Sequence, residues 1–210
     1  MKCLTTFLSI AGYALLTVST SVFALDKSLI TKSWMKTPFE LYLDPQEAYN
    51  LKMSKPDKVI FLDARSPAEL HFTGMPETAD INIPYTFSST QWKMKRDGIH
   101  GTFKRVNNYN FTETVENYIQ ANGFNKNSPI IIQCTSGVRA PYAARALHKT
   151  GFTKVYIQVE GFEGRKVKSG PNKGKRVVDG WKNAGLPWSY NLLPHKMYFN
   201  YDDTLELIDD

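Results

Sequence analysis

The sequence predicts an α/β protein with three layers, in which helices flank a mainly parallel sheet. Short continuous apolar runs recur at 58–63, 129–133 and 154–159, and such runs are typical of strands buried on both faces of a parallel sheet. Between them lie segments with helix start and stop signals. The alternation of the two predicts this fold class, and 210 residues suit one domain with a full core.

The first predicted elements are a strand and a capped helix. Residues 39–44 alternate in polarity like a strand and end at Asp44. Pro45 then occupies the first helical position and Glu47 the third, which is the pattern of a helix with an acidic N-cap. The apolar run 58–63 predicts the second strand.

The next helix begins with a second capping signal. Ser66 and Glu69 form a capping box around Pro67. Residues 79–84 predict a short strand that Pro84 closes. An irregular basic stretch follows and precedes the next helix.

The second half of the chain repeats the strand and helix pattern. Residues 111–124 predict a helix that stops at Gly123, and residues 139–151 predict a helix that ends at Gly151. The strands 129–133 and 154–159 precede and follow the second of these helices. In such sheets ligands bind beyond the carboxyl ends of the strands, where Asp63 and Cys134 are expected.

The charge is uneven along the chain, whose net formal charge is +6. Residues 163–182 hold seven Lys or Arg and two acids, whereas residues 200–210 hold five acids and no base. Basicity fits a small anionic substrate, although solvated loops are often basic. No nucleic-acid-binding motif accompanies the charge, so nucleic acid is not an expected partner.

Residues 1–24 have the layout of a secretory signal peptide, with one lysine, an apolar stretch and a small-residue site ending at Ala24. The alternative is a membrane anchor, but the apolar run is short for a span. We expect export to the periplasm of a Gram-negative cell, or secretion otherwise, and no membrane attachment after cleavage. Cys3 would leave with the signal, so Cys134 would be the sole thiol of the mature chain.

Cys134 lies between a buried strand and a helix that begins near Arg139. The short loop of Thr135, Ser136, Gly137 and Val138 is expected to turn its N–H groups toward the sulfur. Those groups, the helix N-terminus and the Arg139 charge would favour a thiolate, the nucleophilic form. The alternative is an inert cysteine that packs as a small apolar residue.

Four sequence segments together resemble the rhodanese-like sulfurtransferases. These are DARSPAEL at 63–70, CTSGVR at 134–139, the glycine-rich run around 160–164, and the Gly-Trp element at 180–181. The resemblance is to exported, single-domain members and implies a five-stranded parallel sheet. The domain would cover 41–190 with a basic insertion at 163–180, after a lead-in at 25–40 and before an acidic tail at 191–210.

The resemblance also implies a chemistry. Cys134 would take the outer sulfur of a donor such as thiosulfate, release sulfite, and pass the sulfur from a persulfide to cyanide, a small thiol or a protein thiol. The loop Thr135, Ser136, Gly137, Val138 and Arg139 would bind the anion. No cofactor is implied, and His71, His100, His148 and His195 are too scattered to predict a metal site.

Two other groups are candidates for the site. Asp63 and Arg65 match the family's Asp-x-Arg, for which a structural role is the first expectation and a place lining the site the second. The lysines of the basic segment could attract an anionic donor or an acidic partner, or they could simply be solvated. These four lysines are Lys166, Lys168, Lys173 and Lys175.

Two other functions remain open. A phosphatase or arsenate reductase of the same fold would also use a cysteine and an arginine, but with five residues between them rather than the four found here. A persulfide carrier or redox-sensing module would load one sulfur without turnover.

Overall fold

The computed structural model describes residues 30–199. The predicted signal peptide, 1–24, and residues 200–210 of the predicted acidic tail lie outside that range. Within it the α-helices are α1 (Pro45–Ser54), α2 (Pro67–Thr73), α3 (Phe111–Ala121) and α4 (Ala140–Lys149). The strands are β1 (Tyr42–Leu43), β2 (Ile60–Asp63), β3 (Met75–Pro76), β4 (Ile81–Asn82), β5 (Thr86–Met94), β6 (Gly101–Asn107), β7 (Ile130–Gln133), β8 (Val155–Gln158) and β9 (Trp188–Ser189).

The main sheet has five strands in the order β1-β8-β7-β2-β4, and each neighbouring pair is parallel. This confirms the predicted fold class. In the central pair, Asp63 of β2 lies opposite Gln133 of β7. Cys134 therefore follows its strand at the same sheet edge as Asp63, where ligand sites of parallel sheets form.

Both faces of the sheet are buried, which explains why the strands are apolar without alternation. Ile60 and Ile132 belong to one core cluster, together with α3 and α4 residues such as Val115 and Leu147. Phe61 and Ile131 face the other way, in a cluster that also holds Ala48 of α1, Leu70 of α2 and Trp181. The result is helix, sheet and helix in three layers.

The predicted helix signals are confirmed. Asp44 Oδ1 accepts a hydrogen bond from the Glu47 N–H, and Glu47 Oε2 accepts one from the Asp44 N–H, both at 2.8 Å. The second capping box, of Ser66 and Glu69, is also complete. Gly123 follows α3 at φ +74°, a conformation that disfavours residues with a Cβ and ends the helix there.

The expectation of an irregular stretch before α3 is wrong. Strands β5 and β6 form a separate antiparallel hairpin. Its turn is closed by Asp97, whose Oδ1 accepts hydrogen bonds from two backbone N–H groups, those of Ile99 and His100. The hairpin lacks a buried face along most of its length, so its sequence lacks the regular apolar alternation by which strands are recognised.

Two predicted strands are shorter than expected. The strand predicted at 39–44 is reduced to β1, and the one at 79–84 is reduced to β4. The small antiparallel pair of β3 with β9 was not anticipated. Within residues 30–199, no helix is both long enough and apolar enough to cross a bilayer.

Candidate active site

Cys134 is buried directly beyond β7, with 1 % of its surface exposed. Its Sγ accepts a hydrogen bond of 3.3 Å from the backbone N–H of Arg139, the N-cap residue of α4. Because the peptide dipoles of a helix sum to a partial positive charge at its N-terminus, this position stabilises negative charge on the sulfur.

The loop from Cys134 to Arg139 packs tightly against the turn after β8. Gly137 has φ +75°, and a Cβ on it would lie 1.8 Å from the carbonyl oxygen of Val159. Gly161 also has φ +75°, and a Cβ there would lie 2.6 Å from the carbonyl oxygen of Cys134. Only glycine allows both the positive φ and this approach of two backbones.

Two backbone hydrogen bonds hold the two segments together. Phe162 N–H donates to the Cys134 carbonyl at 2.7 Å, and Glu163 N–H donates to the Thr135 carbonyl at 2.9 Å. The glycine-rich run at 160–164 therefore packs against the cysteine loop and supports it.

Glu69 of α2 holds the loop from the other side. Arg139 Nη1 donates to Glu69 Oε2 at 2.7 Å, and Arg139 Nη2 donates to Glu69 Oε1 at 2.5 Å. Thr135 Oγ1 donates to the same Oε1 at 2.5 Å. Both ends of the loop are thus tied to one carboxylate, by the bidentate geometry that makes arginine–carboxylate pairs strong.

The same carboxylate caps α2 and contacts the hairpin. Ser66 N–H donates to Glu69 Oε2 at 3.0 Å, and the two Nη atoms of Arg105 lie 3.3 Å from the two carboxylate oxygens. Glu69 therefore joins α2, β6 and the cysteine loop.

The titration of Glu69 reflects these contacts. Burial raises the pKa of its carboxyl, but the hydrogen bond and charge of Arg139, with hydrogen bonds from Thr135 and Ser66, outweigh burial, and the pKa lies well below its ordinary value. Burial lowers the pKa of Arg139, yet its hydrogen bond to Glu69 and the charge of Cys134 bring the pKa above its ordinary value. The pair is therefore ionised at neutral pH.

Asp63 and Arg65 form a second, fully buried pair behind the loop. Both side chains are 0 % exposed, and Arg65 Nη2 lies 2.6 Å from Asp63 Oδ2. The remaining donors of Arg65 reach the Thr73 hydroxyl and the Gly74 carbonyl, at 2.7 and 2.9 Å. Every one of these partners is internal, so this geometry supports the structural role.

The structure brings together some of the predicted site residues. Thr135 and Arg139 both bind Glu69, and the Arg139 N–H reaches Cys134. Ser136 is half-buried and Val138 is 47 % exposed. The Arg139 guanidinium faces Glu69, so its backbone N–H is the group placed at the sulfur. Binding of an anion by residues 135–139 stays a prediction.

Sequence reasoning missed the clamping role of Glu69, the contact of Arg105 and the support by Gly161. Glu69 already had a complete local explanation as a helix cap, so nothing in the sequence required a second partner. Arg105 lies in the stretch for which the sequence predicts no regular element. The glycine-rich run has no local signal of its own that indicates contact with the cysteine loop.

The basic segment begins beside the site. Glu163 is bonded to Thr135, and Arg165 Nε then pairs with Asp179 Oδ2 at 2.6 Å across the base of the segment. Lys166, Lys168, Lys173 and Lys175 are exposed. Residues 30–199 contain no group of three or more His, Cys, Asp or Glu side chains that could hold a metal ion.

The rhodanese-like domain family model matches residues 44–167, and the chain belongs to this family. Its relatives include the uncharacterized protein RC0915 of Rickettsia conorii, which is 28% identical over 144 residues, covering 69% of this chain and 93% of that relative. An uncharacterized protein of Rickettsia montanensis, from the dnaA 5′ region, gives the same identity and coverage.

A crystal structure of Rv0390 from M. tuberculosis is similar in fold. It has a TM-score of 0.52 and 24% sequence identity, and the match covers 71% of this chain and 97% of that chain. The predicted export is not addressed by these similarities and stays a prediction.

Proposed function

We propose that the protein is a sulfurtransferase that carries sulfane sulfur on Cys134. The observation that carries this proposal is the position of the sulfur, at the start of α4 and 3.3 Å from the Arg139 N–H. Membership of the rhodanese-like domain family agrees with it.

The proposed reaction has two displacements at sulfur. The Cys134 thiolate attacks the outer sulfur of a donor such as thiosulfate; the S–S bond of the donor breaks, and sulfite leaves with the bonding electrons. An acceptor nucleophile then attacks the outer sulfur of the persulfide, and Cys134 leaves as thiolate. Neither step needs an external oxidant or reductant.

The arrangement around Cys134 suits both anions of this cycle. A persulfide places its charged outer sulfur about 2 Å beyond Sγ, still beside the helix N-terminus. Because the loop is fixed by Glu69, Gly161 and the backbone bonds to 162–163, its dipoles are already oriented before the charge arrives. Four residues between cysteine and arginine also favour this chemistry over the phosphatase alternative.

Intact mass spectrometry after incubation with thiosulfate tests the proposal. The wild-type chain should gain about 32 Da, one sulfur atom, through covalent capture, and the Cys134→Ala variant should gain nothing. A wild-type chain of unchanged mass would contradict the proposal. Steady-state formation of thiocyanate from thiosulfate and cyanide then separates an enzyme from a carrier that loads once.

We further propose that the exposed lysines of the basic segment attract the anionic donor. Replacing Lys166, Lys168, Lys173 and Lys175 together by glutamine should raise KM for thiosulfate at low ionic strength, with little change in kcat, because exposed charges act by steering. The effect should fade in salt, which screens such charges. An unchanged KM at low salt would show that these lysines are only solvated.

A further inference from the structure

The hairpin of β5 and β6, residues 86–107, forms an arm outside the main sheet. Gly101, Phe103 and Arg105 lie on one face of β6, because strand residues alternate. On that face Arg105 contacts both oxygens of Glu69, which binds Arg139 and Thr135. This face of the arm is therefore continuous with the cysteine loop.

The same face carries an exposed apolar cluster. Trp92 pairs with Phe103 across the strands, and their ring centroids are 5.2 Å apart. The Trp92 ring lies over Gly101, where a Cβ would come within 2.3 Å of it, and its Nε1 lies 2.9 Å from Met94 Sδ. Trp92, Met94 and Phe103 are 52%, 50% and 57% exposed.

The arm is also strongly basic. It holds one acid, Asp97, whose carboxylate is engaged by the turn. Its five bases are Lys93, Lys95, Arg96, Lys104 and Arg105. Arg105 lies on the face of Trp92 and Phe103, whereas Lys93 and Lys104 alternate to the opposite face. Contiguous exposed apolar side chains are typical of protein interaction sites, and the net positive charge of the arm as a whole is complementary to an acidic partner.

We propose that the arm docks a partner protein that presents its acceptor thiol on an acidic and apolar surface. This inference rests on the proposed sulfur transfer and names its acceptor class. A small acceptor such as cyanide would not need an aromatic surface, whereas a protein held on this face would lie beside the cysteine loop, which Glu69 joins to Arg105. Its thiolate attacks the outer persulfide sulfur, the S–S bond to Cys134 breaks, and the partner becomes the persulfide.

Two probe peptides of twelve residues test the docking. One has a central cysteine among alternating leucine and glutamate, and the other has lysine in place of each glutamate. Sulfur transfer from Cys134 that has been preloaded with thiosulfate is followed by peptide mass. The acidic peptide should react about tenfold faster at low salt, as expected for charge complementarity.

Variants then locate the effect. The double variant Trp92→Ala with Phe103→Ala should slow transfer to the acidic peptide about fivefold, the loss typical of an interface anchor, while loading by thiosulfate and transfer to cyanide stay unchanged. A second variant, Lys93→Glu with Lys104→Glu, should erase the preference between the peptides, because it cancels the net positive charge of the arm. The matched control, Lys55→Glu with Lys58→Glu, reverses two exposed charges before β2, at the opposite sheet edge, and should retain the preference.

Binding is measured separately, with serine in place of the cysteine of each labelled peptide, by fluorescence anisotropy. If loading fails but the acidic peptide still binds through the arm, the docking stands and the proposed chemistry falls. Equal transfer to both peptides, or an arm variant that transfers like wild type, would overturn the docking. Co-sedimentation with phosphatidylglycerol vesicles without binding of the acidic peptide would overturn it in favour of a membrane surface.

Discussion

Two arginine–carboxylate pairs lie at the same edge of the sheet and have the same chemistry, but they differ in burial and in the separation of their residues along the chain. Asp63 and Arg65 are two residues apart, and both are 0 % exposed. Glu69 and Arg139 are seventy residues apart, and their side chains are 19% and 11% exposed. The first pair fixes the path of the chain between β2 and α2, while the second joins α2 to the cysteine loop.

The comparison indicates that a fully buried pair between near neighbours stabilises the fold, whereas a partly exposed pair between distant residues positions the candidate site. Arg65 also lies with its Cζ 4.0 Å from the centre of the Phe162 ring, so every face of its guanidinium is covered by protein. The Arg139 side chain, in contrast, is partly exposed, and the backbone N–H of Arg139 donates a hydrogen bond to Cys134 Sγ. We expect the first pair to control global stability and the second to control loop geometry.

The largest effect should come from breaking the buried pair. Arg65→Leu leaves the Asp63 carboxylate buried without its cation and should lower the free energy of unfolding by about 3–5 kcal/mol, measured by urea denaturation. The control is Arg165→Leu, which removes an ion pair whose arginine is 59% exposed and should change it by less than about 1 kcal/mol. Equal losses would contradict this contrast.

An intermediate effect on stability is expected from the Glu69 clamp, the carboxylate of Glu69 with its partners Arg139 and Thr135. Glu69→Gln keeps the shape but removes the charge, and should lower the free energy of unfolding by about 1–3 kcal/mol. It should also slow sulfur loading of Cys134 by roughly tenfold, because charge-assisted bonds orient the loop. The control Glu116→Gln, which breaks the pair with Lys126 away from the site, should load at the wild-type rate.

The Glu69 clamp should also make the free energy of unfolding depend on pH. The pKa of Glu69 is lowered in the folded state from 4.5, so its stabilising contribution is complete above that value and is lost as pH falls below it toward the folded pKa. The difference in unfolding free energy between wild type and Glu69→Gln should therefore shrink between about pH 5 and pH 3. A difference independent of pH over that range would mean that the charge of Glu69 is not what holds the loop.

The smallest effect should follow loss of the outer contact. Arg105→Ala removes a side chain that is 42% exposed and 3.3 Å from Glu69, so the free energy of unfolding should change by less than about 1 kcal/mol. Loading of Cys134 should stay within about twofold of wild type, since Arg139 still binds Glu69. A loss as large as that of Glu69→Gln would show that the arm itself holds the loop.

Much of the main sheet and of its flanking helices could be predicted from sequence, because the sequence signals for these elements are local. Asp44 with Pro45 and Glu47, and Ser66 with Glu69, start helices whose capping bonds span only three residues. The apolar runs at 58–63 and 129–133 indicated central strands because a parallel sheet buries both faces. The sequence did not predict the arm because little of it is buried, and a strand without a buried face needs no alternation of apolar and polar residues.

The sequence by itself determined the order of the main-sheet strands and of the α-helices along the chain, and it placed Cys134 where a strand meets a helix. Only the tertiary structure decided that Glu69 holds Arg139, that Gly161 supports the loop, and that the arm adjoins the site. The physical reason is distance along the chain. Caps and apolar runs act between near neighbours, whereas a contact between residues seventy apart exists only after the sheet has brought α2 and the cysteine loop to one edge.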